Sequence, residues 1–237
     1  MVLAAGPGSR LSGSGPLSPK PLVKLLGVSL LERQLRCLAQ LSELEEVIVV
    51  LGSEGGIVRD RLEGSGPWPF TLRAAENPDW AQGNGTSLYA AKKWVDGENF
   101  YVLMVDHLFE PGTLEKFAAE VGGGPALSVS NGGGHALNFG DATKVRIDDQ
   151  GLIRAIGKDL SDFSAVDMGL FHLDGRIFQS LEQAFQEGEH SLTSGVQRLI
   201  AQSPLRALPS PFTWFDIDTS EDFRHAERHL LRRIPSE

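Results

Sequence analysis

The sequence predicts an α/β protein built on a doubly wound sheet. Two runs, residues 47–51 and 101–105, are continuous and apolar, which is typical of parallel strands buried on both faces. A shorter apolar run, residues 2–5, opens the chain and is predicted as a further strand. Helical patterns alternate with these runs, and this alternation favours a mostly parallel sheet flanked by helices.

Two helices are predicted in the first half of the chain. Apolar side chains recur every three or four residues over 29–41, and Ser29 with Glu32 has the spacing of a capping box at the start of that helix. A second helix is predicted over 86–95, between the two long apolar strands, with Thr86 as its cap. These helices complete the strand–helix alternation.

The second half is less regular, although its elements are still recognisable. Residues 149–151 form a turn signal between two β-rich runs, which predicts a hairpin. Strands are predicted at 143–148, 152–156, 166–173 and 212–217, and helices at 176–187 and 192–201, with a last helix capped by Thr219 and Asp222. No change in composition demands a domain boundary. We therefore expect one domain, 1–237, in which the later strands extend the same sheet and build a small lobe.

Charge and cysteine content exclude several classes of protein. The 237 residues contain 22 Lys and Arg against 31 Asp and Glu, a net charge of −9, which argues against a nucleic-acid binder held by phosphate contacts. The single cysteine, Cys37, cannot form an internal disulfide and is predicted to be a buried structural thiol. No apolar run reaches the ~18 residues of a membrane span, and no signal peptide is visible. A cytoplasmic location without membrane insertion is expected.

The start of the chain contains a candidate phosphate site. Gly6 and Gly8 follow the first strand, and small residues there let the backbone approach a ligand closely. Consecutive N–H groups in such a turn can point at phosphate oxygens, and Arg10 adds a charged fork. A strand–helix turn without any ligand would show the same two glycines, so this turn alone does not decide the function.

Two familiar phosphate motifs are excluded, and a lysine takes their place. Leu11 stands where a dinucleotide fingerprint needs its third glycine, and no Gly-Lys-Ser/Thr follows as a P-loop requires. Lys20 lies between Pro19 and Pro21, which hold the chain extended around it. A lysine held in this way after a glycine turn is suited to neutralising phosphate.

At this point the chain resembles the nucleotidyltransferases that make sugar nucleotides and related activated alcohols. The resemblance rests on a two-part motif, Leu3-Ala4-Ala5-Gly6-x-Gly8-Ser9-Arg10-Leu11 and Pro19-Lys20-Pro21-Leu22. Further matches cover almost the whole chain, at residues 82–88, 105–107 and 214–219. Within that group, residues 106–109, 142–146, 156–160 and 166–169 look most like the CTP:inositol-1-phosphate cytidylyltransferases.

The resemblance implies a fold and a reaction. The fold is the Rossmann-like nucleotidyltransferase fold, a mixed, mostly parallel sheet flanked by helices, with a small acceptor-side β lobe. About 1–125 would form the nucleotide-binding half and about 126–237 the acceptor-binding half. The reaction would move CMP from CTP to inositol-1-phosphate, giving CDP-inositol and pyrophosphate. Such a transfer needs in-line positioning and relief of negative charge rather than a protein nucleophile.

The resemblance also assigns residues on the nucleotide side. Arg10, Lys20 and Asp106 would be catalytic, with Arg10 and Lys20 holding the triphosphate. The nucleotide-binding set would be Leu3, Ala4, Ala5, Gly6, Gly8, Ser9, Arg10, Lys20, Gly83, Asn84, Gly85 and Ser87. Residues 83–87 would present amide and hydroxyl groups to cytosine.

Carboxylates predict a divalent metal, Mg²⁺. Asp106 follows a predicted buried strand, and ligands gather at the carboxyl ends of strands in open α/β sheets. Asp216 and Asp218 are two apart on one predicted strand, so both can face the site. The resemblance implies that Asp106 and a late aspartate hold Mg²⁺, and it leaves both Asp216 and Asp218 open.

The acceptor residues are predicted less sharply. His107, Lys144, Lys158 and Asp167 are the candidates, with the lysines for the acceptor phosphate and Asp167 for hydroxyl groups. Both lysines also fit as exposed hairpin charges, an interpretation that is as good as the functional one for Lys144, and His107 can equally be a packed residue that orients Asp106.

Several alternative functions stay open on the sequence. A phosphocholine cytidylyltransferase would need an aromatic cage, for which the aromatic residues of the acceptor half are Phe139, Phe163, Phe171 and Trp214. A hexose-1-phosphate nucleotidyltransferase is the other enzyme candidate. A nucleotide-binding regulatory module would not need carboxylates at both 106 and 216 or 218. The expected partners are small-molecule substrates and, by the resemblance, a separate membrane-bound synthase that uses the product.

Overall fold

A computed structural model describes residues 1–8, 19–95, 97–131 and 141–233. The strands of the first half are β1 (Val2–Ala4), β2 (Lys24–Leu25), β3 (Val28–Ser29), β4 (Glu46–Leu51), β5 (Thr71–Glu76), β6 (Phe100–Met104) and β7 (His107–Phe109). Those of the second half are β8 (Ala126–Ser130), β9 (Lys144–Ile147), β10 (Ile153–Gly157), β11 (Ala165–Leu173), β12 (Arg206–Pro209) and β13 (Trp214–Asp216).

Seven α-helices lie in the described part of the chain. They are α1 (Leu30–Leu38), α2 (Gly55–Glu63), α3 (Asn84–Ala90), α4 (Thr113–Val121), α5 (Arg176–Gln186), α6 (Leu192–Gln202) and α7 (Ser220–Leu231). None of these helices combines the length and apolar character that crossing a membrane requires.

A nine-stranded mixed sheet organises the described residues. Its main path runs β10-β9-β11-β6-β1-β4-β5, and β8 and β12 join it beside β11. Strands β6, β1, β4 and β5 are mutually parallel, whereas β11 runs antiparallel to β6, β8 and β9. The predicted fold class is therefore confirmed, because a mostly parallel half continues into a smaller antiparallel part.

Both faces of the sheet are buried. Along β1 and β4, alternate side chains enter two separate apolar cores, as the continuous apolar runs predict. Helices α1, α2, α4 and α7 contribute to one core, and α3, α5 and α6 contribute to the other. The carboxyl ends of β1 and β6 lie side by side at the centre of the sheet.

Two helices of the first half differ from the sequence prediction in their boundaries. The helix predicted over 29–41 ends at Leu38. The helix predicted over 86–95 begins at Asn84 and ends at Ala90, and a 3₁₀ turn, Lys92–Trp94, follows it. Thr86 is therefore not the cap. Gly83 is the residue that immediately precedes the helix. The hydroxyl of Thr86 lies in the first turn and donates to the carbonyl of Gly83 at 2.7 Å. The caps predicted for α1 and α7 are present, with Ser29 accepting from the Glu32 N–H and Thr219 forming a capping box with Asp222.

Eight strands and helices were missed by sequence reasoning. They are β2, β3, β5, β7, β8, β12, α2 and α4. Strand β5 is an edge strand whose half-exposed residues lack a continuous apolar run, and β12 ends in a proline. Helix α2 begins with two glycines, which mask its helical pattern. The predicted hairpin at 149–151 is present between β9 and β10.

The lone cysteine lies on α1. Cys37 is half-buried and packs against one of the two cores. Burial raises the pKa of its thiol to about 11, so the thiol stays protonated near neutral pH. This environment is that of a structural cysteine.

Candidate active site

The glycine turn lies at the carboxyl end of β1 and approaches Lys20 closely. Gly8 has a φ of +63°, and a Cβ at that position would lie 2.5 Å from the Cβ of Lys20. Only glycine combines that backbone conformation with this contact. Ser9 and Arg10, which the sequence assigns to nucleotide binding, and Leu11 lie outside the described residues.

Lys20 bridges two carboxylates. It begins a 3₁₀ turn, Lys20–Leu22, where the flanking prolines predicted an extended chain, and it is 7% exposed. Its Nζ lies 2.5 Å from Oδ2 of Asp106 and 2.7 Å from Oδ1 of Asp218. Burial alone would lower the pKa of Lys20, but the two carboxylates outweigh burial and hold the pKa above its usual value. The ammonium is therefore charged at neutral pH.

A small two-stranded sheet joins residues that are distant in sequence. Strand β7 pairs antiparallel with β13, and in that register His107 faces Asp216. Directly beside this pair, the N–H of Ile217 donates to the carbonyl of Asp106 at 3.0 Å. This pairing explains how the late aspartates reach Asp106, 110 positions earlier in the chain.

The ring of His107 has a fixed orientation. Its Nδ1 donates to the carbonyl of Met168 at 2.7 Å, and its ring stacks on Trp214 with centroids 5.1 Å apart. The other nitrogen, Nε2, lies 3.7 Å from Oδ1 of Asp216 and 4.0 Å from Oδ1 of Asp106. Burial lowers the pKa of His107, but these carboxylates raise it by more.

The cluster has the ligands that a divalent cation needs. Single ligand atoms of Asp106, His107 and Asp216 lie within 4.8 Å of one another. Desolvation raises the pKa of Asp216 to about 6, and the nearby carboxylates of Asp106 and Asp218 add to this shift while His107 opposes it. Among the described residues, three carboxylates lie close together, and Lys20 donates to two of them, Asp106 and Asp218. This surplus of negative charge on oxygen donors fits a hard cation such as Mg²⁺.

Asp216 and Asp218 have different neighbours. Asp216 is grouped with Asp106 and His107, whereas Asp218 accepts from Lys20. Both line the same clefts. The sequence could not separate the two aspartates because their spacing alone places both at the site.

Two adjoining clefts open around this cluster. The first has a volume of about 370 Å³ and the second about 420 Å³, within the usual range for small-ligand sites. They share five lining residues, Asn84, Met104, His107, Asp216 and Asp218. Two ligands of ordinary metabolite size can therefore meet at the carboxylates.

The first cleft collects most of the residues predicted for the nucleotide. Its lining includes Leu3, Ala5, Gly6, Gly8, Lys20, Asn84, Ser87 and Asp106. Ala4 does not line it, because its side chain enters the core on the opposite side of β1. Gly83 and Gly85 do not line it either. A Cβ on either glycine would lie 2.6 Å from the carbonyl oxygen of His190, so they permit close packing of α3 against residues 190–191.

The second cleft contains His107, Lys158 and Asp167 from the predicted acceptor set. Asp167 accepts from the N–H of Gly169 at 2.6 Å, and burial raises its pKa to about 6. Lys144 does not line this cleft. Its Nζ donates to the carbonyl of Lys158 at 2.8 Å.

The second cleft is rich in carboxylates. Six acidic residues and one lysine, Lys158, are among its described lining residues, the acids being Asp141, Asp167, Asp216, Asp218, Glu221 and Asp222. Carboxylates accept hydrogen bonds from hydroxyl groups, so this lining suits a polyhydroxylated ligand. Of the four aromatic residues weighed for a choline cage, Phe171 and Trp214 line the cleft, whereas Phe163 does not and Phe139 lies outside the described residues.

Sequence reasoning missed several lining residues. Trp80 lines the first cleft, and Glu221 and His225, one turn apart on α7, line the second. Trp80 lies two positions before the motif at 82–88, and an aromatic residue so close to that motif was an available signal. No signal identified the first turn of α7, because its approach to the cleft depends on the β7–β13 pairing.

Comparisons with known proteins identify the family of this chain. Residues 1–207 match the family described as "MobA-like NTP transferase domain". The chain is 36% identical over 232 residues to the "Bifunctional IPC transferase and DIPP synthase" of Aquifex aeolicus, covering 98% of this chain and 51% of that protein. The protein of the same name from Archaeoglobus fulgidus is 32% identical, with coverage of 98% and 43%. The chain spans about half the length of the curated relatives it matches.

Solved structures share the fold. The "inositol-1-phosphate CTP transferase from T. maritima" superimposes with a TM-score of 0.83 at 21% identity, covering 100% of this chain and 96% of the other. A UDP-glucose pyrophosphorylase complexed with UDP-glucose gives a TM-score of 0.82 at 14% identity, with coverage of 98% and 97%. At these identities the likeness concerns the fold alone.

Proposed function

The chain belongs to the MobA-like NTP transferase domain family, and from this membership we propose that it transfers CMP from CTP to inositol-1-phosphate. That it is a nucleotidyltransferase follows from the family. In the proposed reaction, a phosphate oxygen of inositol-1-phosphate bonds to the α-phosphorus of CTP. The bond between the α-phosphorus and its bridging oxygen breaks, and pyrophosphate leaves with that oxygen. The products are CDP-inositol and pyrophosphate.

One observation carries the proposal above all others. Two clefts of similar volume share His107, Asp216 and Asp218, and the first of them also contains Lys20 and Asp106, which contact each other. A transfer between two phosphorylated substrates needs this arrangement, because the donor and acceptor phosphates must be in line at one point. A module that only binds a nucleotide has no use for the second cleft.

The first cleft is proposed for CTP. The glycine turn would approach its phosphates, and Lys20, held at the base of the cleft, would offset charge on the triphosphate. We retain Arg10 and Ser9 as proposed phosphate contacts on the strength of the motif. Asn84 and Ser87 would face the base and ribose.

Mg²⁺ is the proposed cofactor. Asp106 and Asp216 would hold it, with His107 and Asp218 beside them. When bound, it would neutralise phosphate charge at the point of transfer. The chain's own residues position the substrates, and Lys20 keeps Asp106 and Asp218 in place.

The second cleft is proposed for inositol-1-phosphate. Its carboxylates would accept hydrogen bonds from ring hydroxyls, with Asp167 the main candidate, and Lys158 would attract the phosphate. Lys158 already pairs with Asp141 at 3.3 Å, so its ammonium is held at the rim of the cleft. We still propose Lys144 for the acceptor phosphate, although reaching it would require release from the carbonyl of Lys158.

Two relatives' printed names support this acceptor. The curated relatives are named as IPC transferases joined to a DIPP synthase, and one similar fold is titled an inositol-1-phosphate CTP transferase. We accordingly propose a cytoplasmic reaction whose product passes to a membrane-bound synthase. Consumption of CDP-inositol by membranes that contain such a synthase would test that step, and no consumption would refute it.

A pyrophosphate-release assay tests the proposed function. Each of the four ribonucleoside triphosphates is combined with inositol-1-phosphate, phosphocholine and glucose-1-phosphate, with Mg²⁺ present. We expect CTP with inositol-1-phosphate to give the highest kcat/KM. A higher value with phosphocholine or glucose-1-phosphate would overturn the acceptor, and a higher value with another nucleotide would overturn the donor.

A further inference from the structure

A buried asparagine outside both clefts organises the first turn of α3. Asn77 follows β5 and is 3% exposed. Its Nδ2 donates to Oγ1 of Thr86 and to Oγ of Ser87, each at 3.0 Å. Its Oδ1 accepts from the N–H of Asp79 at 2.9 Å. Every hydrogen-bonding group of the amide is therefore used.

The orientation of this amide is determined by its partners. A backbone N–H can only donate, so the atom that faces the N–H of Asp79 must be the oxygen of Asn77. The NH₂ group must then face the two hydroxyls, and both hydroxyls must accept from it. A flipped amide would set two donors against each other at Asp79.

The two hydroxyls differ in what they do with their own protons. Thr86 donates its proton within the protein, to the carbonyl of Gly83 at 2.7 Å. Ser87 lines the first cleft, and its hydroxyl has no acceptor among the described residues. With Asn77 occupying one of its lone pairs, the Ser87 proton is directed away from Asn77. The cleft is where an acceptor can meet it.

We infer that Asn77 is a positioning residue that makes the Ser87 hydroxyl a hydrogen-bond donor toward the nucleobase, and that this polarity favours cytosine over uracil. The inference rests on the proposed assignment of the first cleft to the nucleotide. The two pyrimidines differ at ring position 3, where cytosine has an acceptor nitrogen and uracil has an N–H donor. A hydroxyl whose proton faces the cleft pairs with cytosine. To accept from the N–H of uracil with its remaining lone pair, the Ser87 hydroxyl would have to turn its proton away from the cleft, where no described residue accepts it.

An isosteric substitution reverses this polarity. In Asn77→Asp, one carboxylate oxygen still accepts from the N–H of Asp79, and the other can only accept from the hydroxyls. The Ser87 proton then turns toward residue 77, and the oxygen of Ser87 faces the cleft as an acceptor. The measurement is kcat/KM for CTP and for UTP with a fixed acceptor. We expect the CTP to UTP ratio to fall at least about tenfold.

The ratio separates the inference from general damage. An added negative charge weakens CTP and UTP alike, so it cancels in the ratio. Asn99→Asp is the matched control, because Asn99 lies away from both clefts and donates to the carbonyl of Gly123. Its ratio should equal that of the wild type. Ser87→Ala removes the donor without replacing it, and its ratio should fall less than that of Asn77→Asp.

The outcomes are distinguishable from failure of the proposed function. If the wild type uses no CTP, the proposed function is wrong, whatever the variants do. If the wild type prefers CTP and Asn77→Asp loses activity equally with both nucleotides, Asn77 is only structural and the inference is overturned. If Asn77→Asp does not fold by its melting curve, Ser87→Ala decides alone, and an unchanged ratio there overturns the inference.

Discussion

Lys20 shows how much one side chain can depend on the rest of the chain. The sequence predicts a cationic phosphate ligand from two flanking prolines, and the structure places the ammonium on two aspartates instead of in open solvent. Its partners lie 86 and 198 positions away, so no local pattern could show them. The residue type and its general location were predictable, but its bonding was not.

The first prediction follows from that bonding. Lys20→Ala leaves Asp106 and Asp218 close together without their shared cation, so we expect weaker CTP binding and a kcat lower by about 10²-fold. Lys20→Arg should recover only part of the loss, because the planar guanidinium group of arginine does not reproduce the compact ammonium group of lysine beside Gly8. Calorimetry with CTP and steady-state kinetics measure both effects. Unchanged affinity and turnover in Lys20→Ala would show that the lysine only holds the fold together.

The second prediction concerns the acceptor. Asp167→Asn keeps the size of the side chain but weakens its acceptance of hydroxyl protons, so we expect the KM for inositol-1-phosphate to rise about tenfold. The KM for CTP serves as the internal control and should change much less. Kinetics with each substrate varied in turn give both values. A rise confined to the CTP KM would contradict the acceptor assignment.

At the scale of elements, strand β11 positions the site through an irregularity. Gly169 has a φ of +69°, and the pairing with β8 shifts register between Asp167 and Phe171. A Cβ on Gly169 would clash with Nδ1 of His107. The sequence predicts β11 correctly as a strand at 166–173. It gives no sign of the bulge, because the strand continues on both sides of the register shift.

The third prediction tests this bulge. Gly169→Ala forces the His107 ring away from the carbonyl of Met168, so we expect turnover to fall at least about tenfold. Gly151→Ala is the matched control, with a φ of +75° and open space around its Cβ. Both variants should lose about 1–3 kcal/mol of stability from backbone strain. Equal kinetic losses in the two variants would show that strain, and not the contact with His107, is responsible.

Helix α7 provides the fourth prediction. Thr219 accepts from the N–H of Asp222, and Asp222 accepts in return from the N–H of Thr219 at 2.8 Å. Thr219→Ala should cost about 1 kcal/mol of unfolding free energy, or about 2–4 °C in melting temperature. Thr219→Asn, which can still cap, should recover most of it. Equal melting temperatures in all three proteins would show that the capping box contributes nothing.

At the scale of the whole molecule, the order of elements was easier to predict than their pairing. Apolar runs identify β4 and β6 and the parallel half of the sheet, because strands buried on both faces need no polar side. Edge strands such as β5 have mixed patterns and were missed. The two clefts adjoin at one cluster because β7 pairs with β13. This pairing depends on tertiary packing, so no periodic pattern in the sequence predicts it.

The fifth prediction concerns metal removal. Chelation of divalent ions should abolish turnover while the far-ultraviolet circular dichroism stays unchanged, because both apolar cores form without the cluster. Added Mg²⁺ should restore activity and raise the melting temperature. Asp106→Ala should lose at least about 10²-fold in turnover and most of that thermal gain. Full activity of this variant with Mg²⁺ would contradict the role of Asp106.

The β7–β13 pairing also bears on how new specificities can arise. Glu110 and Thr213, the residues just beyond the paired strands, are joined by a backbone hydrogen bond of 3.2 Å. The segment of the chain between them therefore begins and ends at one place, and it supplies about half of the lining of the second cleft, including Asp167 and Lys158. This segment can therefore change in sequence during evolution without disturbing the β7–β13 pairing, provided that β11 still pairs with β6. The carboxylates proposed to hold the metal would then be inherited intact while the choice of acceptor diverges.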